Sequence, residues 1–197
     1  IVMHALMQPG DEVIAGSPLY GGSINRFNRA FKKFGWHVAW ADSTDVSSFE
    51  KAVTPKTKAI FIESVANPGG VVVDIEGIAQ VARRAGVPLI VDNTAATPYL
   101  CQPFKLGADL VVHSTTKYLS GSGQAMGGAV VDGGTFDWSA SDKYPSLSQP
   151  EPAYHGLKFH ETFGQLSYTL HCHAVGLRDL GMTMAPQNAF LTLLGIE

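Results

Sequence analysis

Two short apolar runs that end in polar residues constrain this chain more than any other feature. Pro88-Leu89-Ile90-Val91 leads into Asp92-Asn93, and Leu110-Val111-Val112 leads through His113-Ser114-Thr115-Thr116 to Lys117. Runs this short and apolar on both faces read as buried parallel strands, and open α/β sheets bind ligands just beyond the carboxyl ends of such strands. Ala59-Ile60-Phe61-Ile62 repeats the pattern and ends at Glu63.

Amphipathic stretches separate these runs. Ile1 to Gln8 reads as the last turns of a helix stopped by Pro9-Gly10, and Val13 to Ala15 as a short strand before the loop Ser17 to Gly22. Ile24, Phe27, Phe31 and Phe34 recur at helical spacing up to Gly35, and Trp36 to Trp40 is a further strand. Asp45 to Val53 forms a brief helix with Ser47 and Glu50 spaced as a capping box. Asp74 caps a helix whose stripe is Ile75, Ile78, Ala79 and Ala82, and Gly127 to Val131 adds a strand. Strands alternating with helices predict right-handed crossovers and helices on both faces of a sheet.

Beyond Asp132 the periodicity dissolves as far as Phe163. Prolines 145, 150 and 152 with scattered aromatics predict a long ordered loop, either an active-site or subunit-contact element or a surface insertion. Glu161 to Leu180 reads as one long, mostly helical segment, and Ala185 onward as another helix.

Composition excludes several classes. With 197 residues, 45% of them hydrophobic, the chain can bury one substantial core, and a mixed net charge of -3 gives no footprint for nucleic acid. No apolar run has the length of a membrane span and no secretory leader is visible, so the expected location is the cytoplasm, with no membrane partner. Cys101 and Cys172 make no disulfide framework and are expected to be reduced. Both ends cut through apolar helical pattern, at Ile1 to Met7 and at Leu193 to Glu197, as in a piece of a longer protein.

Several residues have the chemistry of a site. The hydroxyls of Ser114, Thr115 and Thr116 beside Lys117 can donate to an anion, and a lysine amine forms a Schiff base once its surroundings lower its pKa. A solvent-facing lysine after a strand is the plainer alternative. Asp92 closes an uninterrupted apolar strand, where a carboxylate needs a cation or donors; a pyridinium N–H, a salt bridge and a capped loop all qualify. Tyr20 offers a flat ring face or ordinary packing, and Asn67-Pro68 a site residue or a turn. The glycines from Gly121 to Gly128 match neither a P-loop nor a dinucleotide fingerprint. His171, Cys172 and His173 are adjacent on a predicted helix and point apart, so no metal site is expected.

Taken together, Leu19-Tyr20-Gly21-Gly22, Glu63 with Asn67-Pro68, Asp92-Asn93-Thr94 and Ser114-Thr115-Thr116-Lys117 resemble the pyridoxal-phosphate enzymes of cysteine and methionine metabolism. That family includes cystathionine synthases and lyases, methionine γ-lyase and O-acetylhomoserine sulfhydrylase. The later motifs around Tyr154-His155-Gly156, Leu177-Arg178-Asp179 and Asn188-Ala189-Phe190 look most like the sulfhydrylase branch.

The resemblance implies an α/β chain, part of the large cofactor-binding domain of the aspartate-aminotransferase-like fold type I. Its mixed, mostly parallel sheet has seven strands when complete. The resemblance makes residues 1–197 an incomplete domain whose last helices approach a C-terminal domain, with a glycine-rich phosphate loop before Ile1 and a substrate-carboxylate arginine beyond Glu197. Its cofactor is pyridoxal 5'-phosphate, held by Lys117 through an imine, with Asp92 on the ring nitrogen and Tyr20 stacked on the ring. Glu63 orders the site, Asn67 approaches the phenolic oxygen, Thr94 belongs to the cofactor-binding set, and Ser114 and Thr116 meet the phosphate. The implied reaction is γ-replacement on O-acetylhomoserine by sulfide or a small thiol, giving homocysteine or methionine plus acetate. Elimination of the methionine γ-lyase or cystathionine lyase type and a noncatalytic homologue are the alternatives. A homodimer or homotetramer is implied for the full-length protein. Ser122 stands where the family often has histidine.

Overall fold

Six of the apolar runs become strands of a single sheet in the computed structural model, which describes residues 1–197. A 3-10 turn at Val2–Ala5 precedes β1 (Glu12–Ser17), α1 (Gly21–Asn25), α2 (Phe31–Lys33), β2 (His37–Asp42), α3 (Val46–Ala52) and β3 (Thr57–Glu63). Then follow α4 (Ile75–Ala85), β4 (Leu89–Asp92), α5 (Thr97–Leu100), β5 (Leu110–Ser114) and β6 (Gly128–Asp132). Four helices complete the chain: α6 (Pro145–Ser148), α7 (Phe159–Phe163), α8 (Ser167–His171) and α9 (Pro186–Ile196). The strand order is β2-β1-β3-β4-β5-β6, parallel throughout except for β6, which runs antiparallel to β5.

Strand alternation sends neighbouring residues to opposite faces, so two cores form. Val13, Ala15, Ala59, Phe61, Ile90 and Leu110 pack with Phe27, Phe31, Trp138 and Tyr168 on one face. Ile14, Ile60, Ile62, Leu89, Val91 and Val111 meet Phe49 of α3 and Ile75 and Ile78 of α4 on the other. This three-layer arrangement is the doubly covered parallel sheet that the uninterrupted apolar runs predict.

Four local expectations change. The helix read from Ile24, Phe27, Phe31 and Phe34 already starts at Gly21 and is not one uniform α-helix, since α1 and α2 are joined by a π-helical turn at Arg26–Ala30. Asp45, not Ser47, caps α3, accepting from the Ser47 amide at 2.9 Å, while Glu50 reaches Arg84 of α4 at 3.2 Å. The earlier carboxylate reaches the free amide first, so the capping box does not form. The segment from Glu161 to Leu180 is not one helix: Gly164, at φ 55°, separates α7 from α8, and a π-helical stretch, Cys172–Asp179, ends it.

The largest difference concerns residues 133–163. Trp138, Tyr144 and Leu147 are fully buried, Trp138 stacks on Tyr168 at 5.0 Å between ring centroids, and the Tyr144 hydroxyl donates to Lys58 O at 3.0 Å. The Lys143 ammonium donates to Ala85 O at 2.6 Å, a cation on the carbonyl end of α4. Large aromatics spaced without periodicity thus act as a packing layer over the sheet rather than as a surface insertion.

Asp109 immediately precedes β5 at the amino edge of the sheet, and its Oδ2 accepts from the Leu89 amide at 2.8 Å. Burial pushes this carboxyl up to about 6, against the opposing pull of that amide and of Arg83. A carboxyl raised on folding stabilises the native state below its unfolded pKa, and that contribution is lost as pH rises through the folded value. Asp109→Asn keeps an acceptor for Leu89 and removes the buried charge. Its thermal midpoint at pH 7 is therefore expected to equal or exceed wild type, and the fall in stability between about pH 4 and 6 to flatten. Melts across that range check this; a mutant that is less stable at pH 7 with an unchanged slope contradicts it.

Candidate active site

The strand order reverses at β1, because the connection through α1 and α2 leads to one side of it and the connection through α3 returns to the other. Open α/β sheets form their ligand crevice at such a switch point. Tyr20 follows β1 and Glu63 ends β3, and the Tyr20 amide donates to Glu63 Oε1 at 2.8 Å across the divide. The second oxygen, Oε2, accepts from the Asn67 amide at 2.9 Å. Glu63 is buried, which pushes its carboxyl up against the pull of these two amides, and nearby Asp92 pushes it further. One carboxylate therefore fixes two loops.

Asp92 ends β4. Its Oδ1 accepts from both the amide and the hydroxyl of Thr94, while Oδ2 has no protein partner. The same Thr94 hydroxyl accepts from the Ser114 amide at 2.8 Å, tying β4 to the end of β5. Thr116 spends its hydroxyl on the next strand: it donates to Gly127 O at 3.2 Å and accepts from Gly127 N at 3.0 Å. Ser114 keeps its hydroxyl free. Lys117 is exposed and enters none of the four ion pairs of the chain.

All eight residues singled out from the sequence, namely Tyr20, Glu63, Asn67, Asp92, Thr94, Ser114, Thr116 and Lys117, line one cavity of about 990 Å³. Sequence reasoning missed Tyr118 and Met126 in the same lining, both largely exposed at 68% and 77%. Position beside Lys117 was the only available signal for Tyr118; Met126 had none beyond an apolar residue in a glycine-rich loop. Gly22 makes room for the aromatic ring, since a Cβ there would lie 2.6 Å from Tyr20 Cε1. Residues 133–163 supply none of the lining. A smaller recess of about 400 Å³, rimmed by Lys32, His37 and Lys56, lies at the opposite strand ends and shares no residue with it.

A large, partly apolar cavity with one free amine, one half-free carboxylate and an unpaired hydroxyl fits a flat, anionic, nitrogen-containing ring. On this sheet order, that is the class of pyridoxal-phosphate enzymes of fold type I. Comparison with known proteins narrows the class. The whole chain, residues 1–197, matches the family described as Cys/Met metabolism PLP-dependent enzyme, and the chain belongs to that family.

An O-acetyl-L-homoserine sulfhydrylase from Leptospira meyeri is 42% identical over 200 residues, covering 98% of this chain and 45% of the relative. A crystal structure from Campylobacter jejuni, described as an O-acetylhomoserine (thiol)-lyase with an N'-pyridoxyl-lysine 5'-monophosphate, superposes with TM-score 0.95 at 40% identity. It is matched over 99% of this chain and 48% of its own. A cystathionine γ-lyase from Lactobacillus plantarum is more distant, with TM-score 0.75 and 30% identity over 99% of this chain and 43% of its own. The chain thus spans just under half the length of these relatives. No helix is long and apolar enough to cross a membrane.

Proposed function

We propose that the protein of which this chain forms a part performs pyridoxal-phosphate-dependent γ-replacement on O-acetylhomoserine, using sulfide or a small thiol and releasing acetate. The observation that carries this reading is the convergence of Asp92 and Lys117 on one cavity, in a chain 42% identical to an O-acetyl-L-homoserine sulfhydrylase. The more distant likeness to a cystathionine γ-lyase favours replacement over elimination.

Each residue has a role in that reading. Asp92 would hold the ring nitrogen through Oδ2, with Thr94 fixing the carboxylate from behind. Tyr20 would cover one ring face, Glu63 would hold Tyr20 and Asn67 in place, and Asn67 would meet the phenolic oxygen. Ser114 has a hydroxyl to give the phosphate, and Thr116, committed to Gly127, would shape that pocket. Further donors are required, since the one free hydroxyl of Ser114 cannot balance a dianion. Lys117 would tether the cofactor and, once freed, carry protons at Cα and Cβ of the substrate. Bound pyridoxal phosphate supplies the electron sink that makes the Cα proton acidic enough to move. Loss of acetate from Cγ and addition of the thiol at the same carbon complete the replacement.

The reading extends to a cytoplasmic enzyme of methionine biosynthesis and transsulfuration that assembles as a homodimer or homotetramer. Exposed Tyr99 and Leu100 beyond β4, with Tyr118 and Met126 at the cavity, support such a contact. Product analysis on the full-length protein tests the reaction. Homocysteine and acetate in equal amounts from O-acetylhomoserine and sulfide are expected; an oxoacid with ammonia would assign the protein to the elimination branch instead.

A further inference from the structure

The cavity wall from Ser120 to Met126 has little structure of its own. Its residues Gly121, Gly123 and Met126 line the cavity, Gly121 and Gly123 have φ of +71° and +67°, and internal support is limited to short-range bonds such as Ser122 Oγ to Ser120 O at 3.2 Å. A glycine-rich loop of this kind needs an external brace to hold one position.

The segment from Met184 to Gly195 provides one at three points. A Cβ on Gly127 would lie 2.5 Å from Met184 Cε, so the methionine packs flush against the end of the loop. Asn188 Nδ2 donates to Met126 O at 2.7 Å. One turn further on, the Thr192 hydroxyl donates to Asn188 O at 2.8 Å. Gly195 meets the other end: a Cβ there would run into the carbonyl carbon and oxygen of Ser120 and lie 2.7 Å from its Cα. All three are backbone atoms, so no side chain can yield. Ser120 is itself bonded to the carbonyls of Thr116 and Lys117, which joins this contact to the lysine turn.

We infer that Asn188 and Gly195 are positioning residues that hold the Ser120–Met126 wall, and through it the Lys117 turn, in register with the cavity. The inference rests on the cavity being the reaction site proposed above. α9, whose Phe190, Leu193, Leu194 and Ile196 are all more than half exposed, meets this loop through Asn188 and Gly195. Neither residue lines the cavity; each acts through the loop.

Amide hydrogen exchange on the full-length, cofactor-free protein tests this, with Asn188→Asp, Gly195→Ala and a Leu193→Ala control. Aspartate is isosteric but cannot donate to Met126 O. Exchange across residues 121–127 is expected to quicken about tenfold in the first two variants, with α4 unchanged and the control at wild-type rates. With cofactor added, both are expected to raise KM for the amino-acid substrate more than they lower kcat, and Asn188→Gln, which restores an amide donor, to recover part of the loss. Where Gly195→Ala fails to accumulate, Asn188→Asp carries the test. Exchange no faster than in the control overturns the inference. Because exchange is read without cofactor or substrate, that failure is distinct from failure of the proposed reaction, which wild-type product analysis reports.

Discussion

Lys117→Ala in the full-length enzyme is expected to lower turnover roughly 10³-fold, the central range for removing a positioned acid-base group. Of the lining residues that this chain contributes, Lys117 is the only basic one. It is exposed and makes no ion pair, so its removal should leave the fold intact and the melting midpoint within a degree or two. Steady-state rates with O-acetylhomoserine and sulfide decide the matter. A mutant within tenfold of wild type would remove Lys117 from the chemistry.

Asp92→Asn should have the next largest effect. Asparagine keeps an oxygen for the Thr94 amide and hydroxyl, so the turn and its link to Ser114 N survive. What changes is Oδ2, the oxygen that no protein donor uses: it becomes a neutral NH₂ that cannot accept a ring N–H. A hydrogen bond to a charged group is worth about 1.5–3 kcal/mol, so affinity for pyridoxal phosphate should fall roughly 10–10²-fold. Turnover should fall as well, because the ring nitrogen no longer has a carboxylate to keep it protonated. Cofactor titration of the apoprotein measures the first effect directly. Affinity unchanged from wild type, with normal turnover, would return Asp92 to a structural role in the β4 turn.

The parts of this site that were legible in the sequence were those fixed by local chemistry. Apolar runs ending in Glu63, Asp92 and Ser114 placed three residues at strand ends, and strand ends on one edge of a parallel sheet necessarily converge. Less visible were the contacts made by partners distant in sequence. Thr94 read as a member of the binding set, yet its hydroxyl bridges Asp92 and the amide of Ser114, the latter 20 residues beyond Thr94, which only the register of β4 on β5 creates. The packing of Trp138 and Tyr144 was hidden for a different reason. Residues 133–163 have no period, and irregular backbone can bury aromatics as well as a helix can when cations such as Lys143 satisfy neighbouring carbonyls. The Asp45 cap was missed because two polar patterns competed for one helix start, and spacing alone does not say which side chain reaches the free amide.

The most direct measurement of all is borohydride reduction of the full-length protein saturated with pyridoxal phosphate, followed by digestion and peptide mapping. A single reduced adduct on the peptide that carries Lys117 is the predicted result, accompanied by loss of the visible absorbance and of activity. An adduct on another lysine, or none in a folded and saturated protein, would contradict the assignment of this cavity as the cofactor site.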